Sequence, residues 1–205
     1  MQFTFDLPTI LTMLLTLVVS ITLHEMMHAY VGLKLGDTTA HEEGRVSFNP
    51  LRHIDPFATV LLPIITLIAF HAPILAAKPV PFNPSRVKFD EFGAAMIAAA
   101  GPLTNLVLAI IGGVAAHGFA SNVAVFNALT IFVSLNVGLF VFYMVPIPPL
   151  DGSRVLYAFA PDALRGVMEQ IEQYGIFIVF GLVLFLPGFS SILVNLNRAI
   201  SIFLL

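Results

Sequence analysis

The chain has no cysteine, no tryptophan and very few charged side chains, and these shortages narrow what it can be. Without cysteine, disulfide bonds and thiolate metal ligands are excluded, so any metal must be held by His, Asp, Glu or carbonyl groups. Charged residues make up 10% of the 205 residues, hydrophobic residues make up 58%, and the mean hydropathy is +0.95. A water-soluble domain of this size does not show such a balance, which indicates an integral membrane protein.

Long uncharged stretches mark the segments that can cross a bilayer. No Asp, Glu, Lys or Arg occurs between Glu91 and Asp151, which leaves room for two spans of about 20 residues each. Further apolar runs cover residues 7–23, 57–77 and 175–186. The sequence therefore predicts an all-α integral membrane protein embedded in the lipid bilayer.

The apolar runs predict one domain that stays in the membrane. No polar linker long enough to join a second domain occurs, so residues 1–205 are predicted to form a single intramembrane domain. Residues 1–6 lack the basic side chains that open a secretory signal, and the first apolar run is predicted to be retained. A net charge of -3 gives no reason to expect nucleic acid as a partner.

A metal-binding pattern lies inside the first apolar helix, where residues 24–28 read HEMMH. Positions i and i+4 share one face of a helix, so His24 and His28 can bind one metal ion with Glu25 beside them. Zinc held by two imidazoles and a carboxylate keeps a position for water, and an adjacent carboxylate can take that water's proton. The alternative is a buried polar network without metal, although ionisable groups at membrane depth are costly and require a compensating partner.

Asp151 is the predicted third ligand. It follows three prolines in the segment VPIPPLDG of residues 145–152, which end the preceding helix and leave unwound backbone that can direct a carboxylate inward. The alternative role for Asp151 is an N-cap of a helix that starts near Ser153. Together with the histidine pair, the ligand interpretation is favoured. Four other histidines lack partner spacing and are predicted to have surface or packing roles: His41, His53, His71 and His117.

These motifs resemble the site-2 protease family of intramembrane zinc metallopeptidases. The family's His-Glu-x-x-His helix corresponds to residues 24–28, its Pro-x-Pro-x-x-Asp-Gly signature to residues 146–152, and its small-residue segment to GPLTN at residues 101–105. Residues 49–63 and 77–84, reading NPLRHIDPFATVLLP and AKPVPFNP, are similar to the compact bacterial branch that has no PDZ domain.

The resemblance covers residues 23–174 and implies a zinc-dependent intramembrane endopeptidase with one Zn2+ per chain. Such an enzyme hydrolyses a peptide bond in or near the transmembrane helix of a protein substrate. The resemblance implies Glu25 as the catalytic base and His24, His28 and Asp151 as the metal ligands. The compact form further implies the inner membrane of a bacterium or archaeon.

One position departs from the family pattern. The family carries a substrate-positioning Asn eight residues before its metal-binding Asp, and here that position is Tyr143. A phenol donates one hydrogen bond, whereas a carboxamide offers two donors and an acceptor. Asn105 is therefore predicted to polarise the scissile carbonyl, with Tyr143 as the other substrate-positioning residue. An interhelical hydrogen bond is the alternative for Asn105 and the favoured role for Asn136.

Two other functions fit part of the pattern. A catalytically idle member of the family could bind membrane helices as an adaptor, with Tyr143 marking lost substrate positioning. The retained Glu25 argues against this, because a purely structural site has no need of a base. A metal transporter would also place His and Asp within the membrane, but it predicts ligands at several depths, whereas here they converge.

The ligands and the basic residues together predict the topology. His28 and Asp151 must lie at the same depth to share one metal ion, so an even number of full crossings must separate them. Three apolar runs lie between these two residues, and one of them therefore cannot cross completely. Residues 57–77, broken by Pro63 and Pro73, are predicted to be this re-entrant segment. This gives about four full transmembrane helices plus a re-entrant segment. The positive-inside rule then predicts an outside N-terminus and a metal site that opens toward the cytoplasm. The basic residues on that side are Lys34, Arg45, Arg52, Lys78, Arg86, Lys88, Arg154 and Arg165.

Two polar stretches lie at the membrane boundary. Asp37 to Pro56, with Gly44 in a turn-like setting, is predicted to form a small β-hairpin, and a plain connecting loop is the alternative. Ser153 to Gln173 alternates charged and apolar residues as an interfacial helix does.

Overall fold

The computed structural model describes residues 6–53 and 80–205, and within these two stretches the chain is helical without any β-strand. The helices are α1 (Leu7–Lys34), α2 (Thr39–Glu42), α3 (Asp90–Gly118), α4 (Val123–Tyr143), α5 (Asp151–Phe159), α6 (Asp162–Glu172), α7 (Gly175–Phe185) and α8 (Pro187–Leu204). Short 3-10 turns occur at Pro50–Arg52 and Pro84–Arg86.

Helices α1, α3 and α4 are long and apolar enough to cross a bilayer, with 28, 29 and 21 residues. At a rise of about 1.5 Å per residue, each reaches across a hydrocarbon core of roughly 30 Å. Helices α6 and α7 together form a fourth candidate span, although they bend by 83° at their junction. The all-α membrane fold is therefore confirmed, with three or four candidate spans in the described ranges. The predicted re-entrant segment, residues 57–77, lies outside the described residues.

Capping residues and prolines set the ends of the spans. The Asp6 side chain accepts a hydrogen bond from Thr9 N at 2.9 Å, which caps the first turn of α1. Asn122 does the same for α4 by accepting from Val125 N at 3.2 Å. The prolines within residues 146–149 then prevent α4 from continuing, because proline lacks the N–H that a helix interior needs.

Helix α3 lies at the centre and packs against α1, α4 and α5. Ala109 of α3 meets Val133 and Val137 of α4, and all three side chains are fully buried. The outward face of α1 carries Leu14 and Leu15, which are more than half exposed. Lipid tails are as apolar as leucine, so this face is suited to contact with acyl chains.

Hydrogen bonds join the end of α1 to the start of α3. Lys88 N donates to Leu35 O at 2.9 Å, and Asn83 N donates to Asp37 Oδ2 at 2.7 Å. The turn Pro50–Arg52 also packs against α1. The residues that follow positions 54–79 therefore lie at the end of α1 that leads into Leu35 and Asp37.

Asp37 anchors this end of the molecule. Its Oδ1 accepts hydrogen bonds from Thr39 N at 3.0 Å and from the Thr39 hydroxyl at 2.5 Å. Burial alone would raise the pKa of Asp37, but the hydrogen bonds from Thr39 and Asn83 and the charge of Arg86 hold this pKa below its usual value. The carboxylate is thus ionised at neutral pH and can fasten two segments that are distant in sequence.

The predicted β-hairpin is not confirmed over residues 37–53, which form α2 and a 3-10 turn without paired strands. Local bonds satisfy the backbone here: Arg52 N donates to Asn49 O at 3.0 Å, and His53 N donates to Pro50 O at 2.9 Å. Backbone N–H and C=O groups that already bond to near neighbours in the sequence are not available to form hydrogen bonds with a second strand. The predicted interfacial helix of residues 153–173 is divided into α5 and α6 near Pro161.

Candidate metal centre

His24, His28 and Asp151 come together at the interface of α1, α3 and α5. The distance between the two Nε2 atoms is 3.0 Å, and Asp151 Oδ2 lies 3.3 Å from His24 Nε2 and 3.5 Å from His28 Nε2. Zinc bonds to nitrogen and carboxylate oxygen are about 2.0–2.1 Å long, so two ligand atoms of a tetrahedral site stand about 3.3–3.4 Å apart. The three atoms therefore form a triangle of the size that zinc requires.

Hydrogen bonds on the far side of each ring determine which nitrogen faces the centre. His24 Nδ1 lies 2.6 Å from Asn105 Oδ1, and His28 Nδ1 lies 2.7 Å from Ile97 O. Both partners are oxygen acceptors, so each Nδ1 must donate its proton. In the neutral imidazole this leaves a lone pair on Nε2, which is the form that binds a metal ion.

A chain of amides fixes the orientation of Asn105. Asn136 Nδ2 donates to Phe132 O at 2.9 Å, so Asn136 Oδ1 is the acceptor for Asn105 Nδ2 at 3.1 Å. The Asn105 oxygen must then face His24. The backbone carbonyl of α4 thereby sets the tautomer of a histidine on α1 through two buried side chains.

The converging atoms need a positive partner. Two imidazole lone pairs and a carboxylate oxygen face one another at His24, His28 and Asp151, and the two rings are buried. Asp151 Oδ2 is itself buried and has no hydrogen-bond partner within the described part of the chain. Burying such acceptors without a donor is unfavourable, and a cation between them removes the repulsion. The donor set therefore fits zinc, with two nitrogens, one oxygen and a position left over.

Gly101 of α3 is the point of closest approach to the ligand atoms. A Cβ atom at this position would lie 2.3 Å from His28 Nε2 and 2.6 Å from His24 Nε2. These distances are far shorter than van der Waals contact, so a residue without a side chain is required. The close approach of α3 to α1 therefore depends on this glycine.

The proline segment brings Asp151 to the level of the histidines. Asp151 is the first residue of α5, and Leu150 is its N-cap without any capping bond from a side chain, so the N-cap alternative for Asp151 is not seen. Gly152 lies against the end of α4, where a Cβ would come within 2.2 Å of Met144 O. The first turn of α5 thus lies against the residues that directly follow α4, while the helix itself packs against α3, and this brings the Asp151 carboxylate to the two histidines of α1.

Glu25 lies beside the candidate ligands on the wall of a cavity of about 420 Å³. The Glu25 side chain is buried, and the three candidate ligands line the same cavity. The rest of the wall is mostly apolar and comes from four segments of the chain. It includes Phe82, Ile97, Phe142, Leu150, Val179 and Phe180. Arg154 and Glu172, which pair with each other, add a charged edge.

The two residues predicted to position substrate lie in different places. Tyr143 lines the cavity, and its ring centroid is 4.6 Å from that of His24. Asn105 is fully buried behind His24, where its amide bonds to His24, to Asn136 and, at 3.4 Å, to Ser20 O. Asn136 makes an interhelical hydrogen bond, which is the role favoured for it. Tyr143 therefore lies on the cavity wall, whereas Asn105 contacts His24 from behind.

One of the four histidines predicted to have surface or packing roles, His53, is buried. It has 2% of its surface exposed, and its Nε2 lies 2.8 Å from Ser47 O. Its spacing from the other histidines follows no metal-binding pattern, so the sequence did not distinguish burial from exposure at this position. His41 and His117 are exposed, and His71 lies outside the described residues.

Comparisons with known proteins point to the same chemistry. The chain is 40% identical over 188 residues to "Putative zinc metalloprotease YwhC" of Bacillus subtilis, a match that covers 87% of this chain and 82% of that protein. It is 26% identical over 167 residues to "Putative zinc metalloprotease Rip2" of Mycolicibacterium smegmatis, covering 78% of this chain and 61% of that protein. No protein-family model matches the chain, and no solved structure matches it significantly.

The first relative combines high identity with coverage of most of both chains. Its name agrees with the HEMMH helix, with the aspartate after the proline segment and with the triangle that these residues form. The chain therefore belongs to the site-2 protease-like family of zinc metalloproteases.

Proposed function

We propose that the protein is a zinc-dependent intramembrane endopeptidase that cuts a peptide bond in or near the transmembrane helix of another protein. One observation carries this proposal: the triangle of His24, His28 and Asp151, with Glu25 beside it, opens on an apolar cavity between membrane-spanning helices. An apolar wall favours a hydrophobic substrate segment over a soluble, charged peptide.

The residues around the cavity divide the reaction between them. Bound at the three ligands, zinc would supply a Lewis acid that polarises the scissile carbonyl and lowers the pKa of the attacking water. Glu25 takes the proton released as that water attacks, and it passes the proton to the amine nitrogen as the carbon–nitrogen bond breaks. Tyr143, which lines the cavity, would donate a hydrogen bond to the carbonyl oxygen of the bound segment.

Asn105 does not contact the substrate in this scheme and acts through His24. Its oxygen accepts the proton on His24 Nδ1 at 2.6 Å, which holds the ring in the tautomer and orientation needed for ligation. Both ends of its amide are engaged within the protein, because its nitrogen donates to Asn136. We therefore propose Asn105 as a positioning residue for His24, in place of the carbonyl-polarising role that the sequence suggested.

The substrate must unwind locally before it can be cut. In a helix each backbone carbonyl accepts a bond from the N–H four residues on, and this bond and the surrounding turn shield the carbonyl from attack. A cavity about as large as a small-molecule site accepts a short extended segment rather than a whole helix, whose diameter is about 10–12 Å. Proline or glycine near the cleaved bond is thus expected to favour cleavage.

The distribution of basic residues predicts the orientation of the protein in the membrane. We propose that the end of the molecule carrying the metal centre faces the cytoplasm of a bacterium or archaeon, because basic residues collect on the cytoplasmic side. In the described ranges the basic residues at this end are Lys34, Arg45, Arg52, Arg86, Lys88, Arg154 and Arg165.

Cysteine labelling tests this orientation cleanly, because the chain contains no cysteine of its own. Single Arg52→Cys and Lys88→Cys variants are expected to react with a membrane-impermeant maleimide only when the cytoplasmic face is accessible. Ser121→Cys, in the turn between α3 and α4, is the matched control and is expected to react only from the outside. Labelling of positions 52 and 88 from opposite faces would contradict the proposed topology.

The function is tested with purified protein in proteoliposomes that also contain single-span proteins tagged at both ends. Mass spectrometry of the products is expected to place the cut within or next to the apolar segment. Removal of zinc by a chelator should stop the reaction, and added zinc should restore it. Zinc-loaded protein that cuts none of a varied set of spans would favour the adaptor function, and cuts confined to water-exposed tails would exclude an intramembrane protease.

A further inference from the structure

The outward side of α8 carries two polar side chains that the described part of the chain does not cover. Ile200 and Leu204 of α8 pack against the buried cluster that α3 and α4 form. Asn195 and Arg198 lie on the other side of the helix, where both are exposed. Positions i and i+3 are neighbours on a helix surface, so the carboxamide and the guanidinium together form one polar patch, the α8 patch.

Contacts near both ends of α8 show that it runs alongside α4. Near its start, Leu193 packs against the buried cluster that contains Val145, which follows the end of α4 close to the metal centre. Near its end, Leu204 O faces Gly113 of α3, where a Cβ would lie 2.5 Å away. Gly113 lies toward the turn that joins α3 to α4 at the opposite end. Helix α8 therefore covers much the same range of depths as α4.

A hydrogen bond to α4 places the α8 patch near the middle of the membrane. Asn197 Nδ2 donates to Ser134 O at 3.1 Å. Ser134 lies near the middle of α4, which is a candidate membrane span of 21 residues. Both members of the α8 patch are within two residues of Asn197, or about 3 Å along the helix axis. The exposed guanidinium and carboxamide therefore lie at the depth of the hydrocarbon core.

Neither group of the α8 patch has a partner within residues 6–53 and 80–205. Arg198 makes no ion pair there, and the Asn195 carboxamide makes no hydrogen bond. The exposed side chains around them are apolar, with Ile192, Val194 and Ile202 each more than half exposed. A charged group at this depth is costly and is almost always paired in membrane proteins. The α8 patch therefore requires a partner from outside the described chain.

Charge determines what this partner carries. A guanidinium forms its strongest hydrogen bonds with a carboxylate, and an asparagine side chain can bond to a neighbouring helix within the membrane. A second copy of the chain does not fit, because α3 after Glu91, α4, α7 and α8 contain no Asp or Glu. Glu25 of α1 is buried beside the candidate metal ligands. Two copies meeting through this face would also bring their Arg198 charges together.

We propose that the α8 patch binds a transmembrane helix of another protein that carries an Asp or Glu near its mid-depth. The carboxylate accepts hydrogen bonds from the Arg198 guanidinium, and the Asn195 carboxamide bonds to the same helix. Within the described ranges, no residue of α8 lines the cavity of the metal centre. The bound helix is thus an accessory partner, and the proposal does not depend on the proposed protease activity.

Energy transfer in proteoliposomes tests the proposal with synthetic helices. The probes are two leucine- and alanine-rich single-span helices that are identical except for Asp or Leu at the centre, each with an acceptor dye. The protein carries Glu25→Gln, so that the probes are not cut, and a donor dye on Ser121→Cys. The Asp helix is expected to bind about 3–30-fold more tightly than the Leu helix, as an interhelical polar contact in a membrane provides.

Variants of Arg198 link this preference to the α8 patch. Arg198→Leu is expected to bind both helices equally, and because the side chain is exposed, thermal unfolding should match that of the parent protein. Arg198→Glu is expected to prefer a helix with a central Lys to the Leu helix. Equal binding of the Asp and Leu helices by the parent protein would overturn the proposal, as would a preference for Asp that persists in Arg198→Leu.

Cross-linking locates the bound helix on the surface. A photoreactive residue at position 202, on the same side of α8, is expected to cross-link to the Asp helix. The matched control is position 15 on α1, whose Leu side chain is also exposed, with 67% of its surface accessible against 63% for Ile202. Equal cross-linking from both positions would overturn the proposal. Cross-links from position 202 to a second copy of the protein, lost in Arg198→Leu, would overturn it in favour of self-association.

Discussion

Replacing Glu25 by Gln is expected to reduce peptide cleavage by about 10²–10⁴-fold while zinc remains bound. Gln has nearly the same size and shape as Glu, so it fits the buried position beside His24 and His28. Its carboxamide cannot take a proton from the attacking water at neutral pH. The loss should therefore fall on kcat, and the rate is measured on a single-span substrate in proteoliposomes, with zinc determined on the same preparation.

Glu172→Gln is the matched control for this change. Glu172 also lines the cavity, but it pairs with Arg154 at the cavity edge, and both side chains are about 40% exposed. Exposed ion pairs contribute little, so this variant is expected to cleave at nearly the wild-type rate. If Glu25→Gln cleaves as fast as Glu172→Gln, Glu25 is not the base and the reaction scheme is wrong.

Replacing Gly101 by Ala is expected to weaken zinc binding severely. The added methyl group would lie 2.3 Å from His28 Nε2 and 2.6 Å from His24 Nε2, so α3 and the two rings cannot keep their present positions. Overpacking of this kind typically costs about 1–3 kcal/mol and sometimes more, and about 3 kcal/mol corresponds to roughly a 150-fold rise in Kd. The Kd is measured by competition with a zinc-chelating dye.

Gly32→Ala provides the control within α1 itself. Gly32 lies one turn beyond His28, and among the described residues a Cβ there would meet only Ile97 Cδ1, at an ordinary contact distance of 3.8 Å. Alanine also suits a helix interior better than glycine, so this variant is expected to bind zinc as the wild type does. Full zinc affinity in Gly101→Ala would mean that the ligand atoms do not face residue 101.

Local features of the sequence were sufficient to predict the helices and the histidine pair. The first apolar helix was expected from the run that begins at residue 7 and to contain residues 24–28, and it is Leu7–Lys34, with Asp6 capping its first turn. The spacing of His24 and His28 likewise places both rings on one helix face whatever the rest of the chain does. Such predictions depend only on neighbours within a turn or two.

Contacts between segments that are distant in the sequence could not be predicted from such local features. The partner of Asn105 is His24, 81 residues away on another helix, and periodicity alone does not tell which of two buried groups an amide will face. The buried position of His53 depends on how the loop after α2 folds against α1, which no spacing rule encodes. The prediction of a hairpin over residues 37–56 used turn-like residues. It did not anticipate the backbone bonds to neighbours three residues away that form in its described part, residues 37–53.

The most direct test of the account is the zinc content of the purified protein, determined by mass spectrometry for wild type, Asp151→Ala and Glu25→Gln. The triangle of ligand atoms predicts one zinc per chain in wild type and in Glu25→Gln, and loss of zinc in Asp151→Ala. A full complement of zinc in Asp151→Ala, or no zinc in the wild type, would contradict the metal centre on which the proposed protease activity depends.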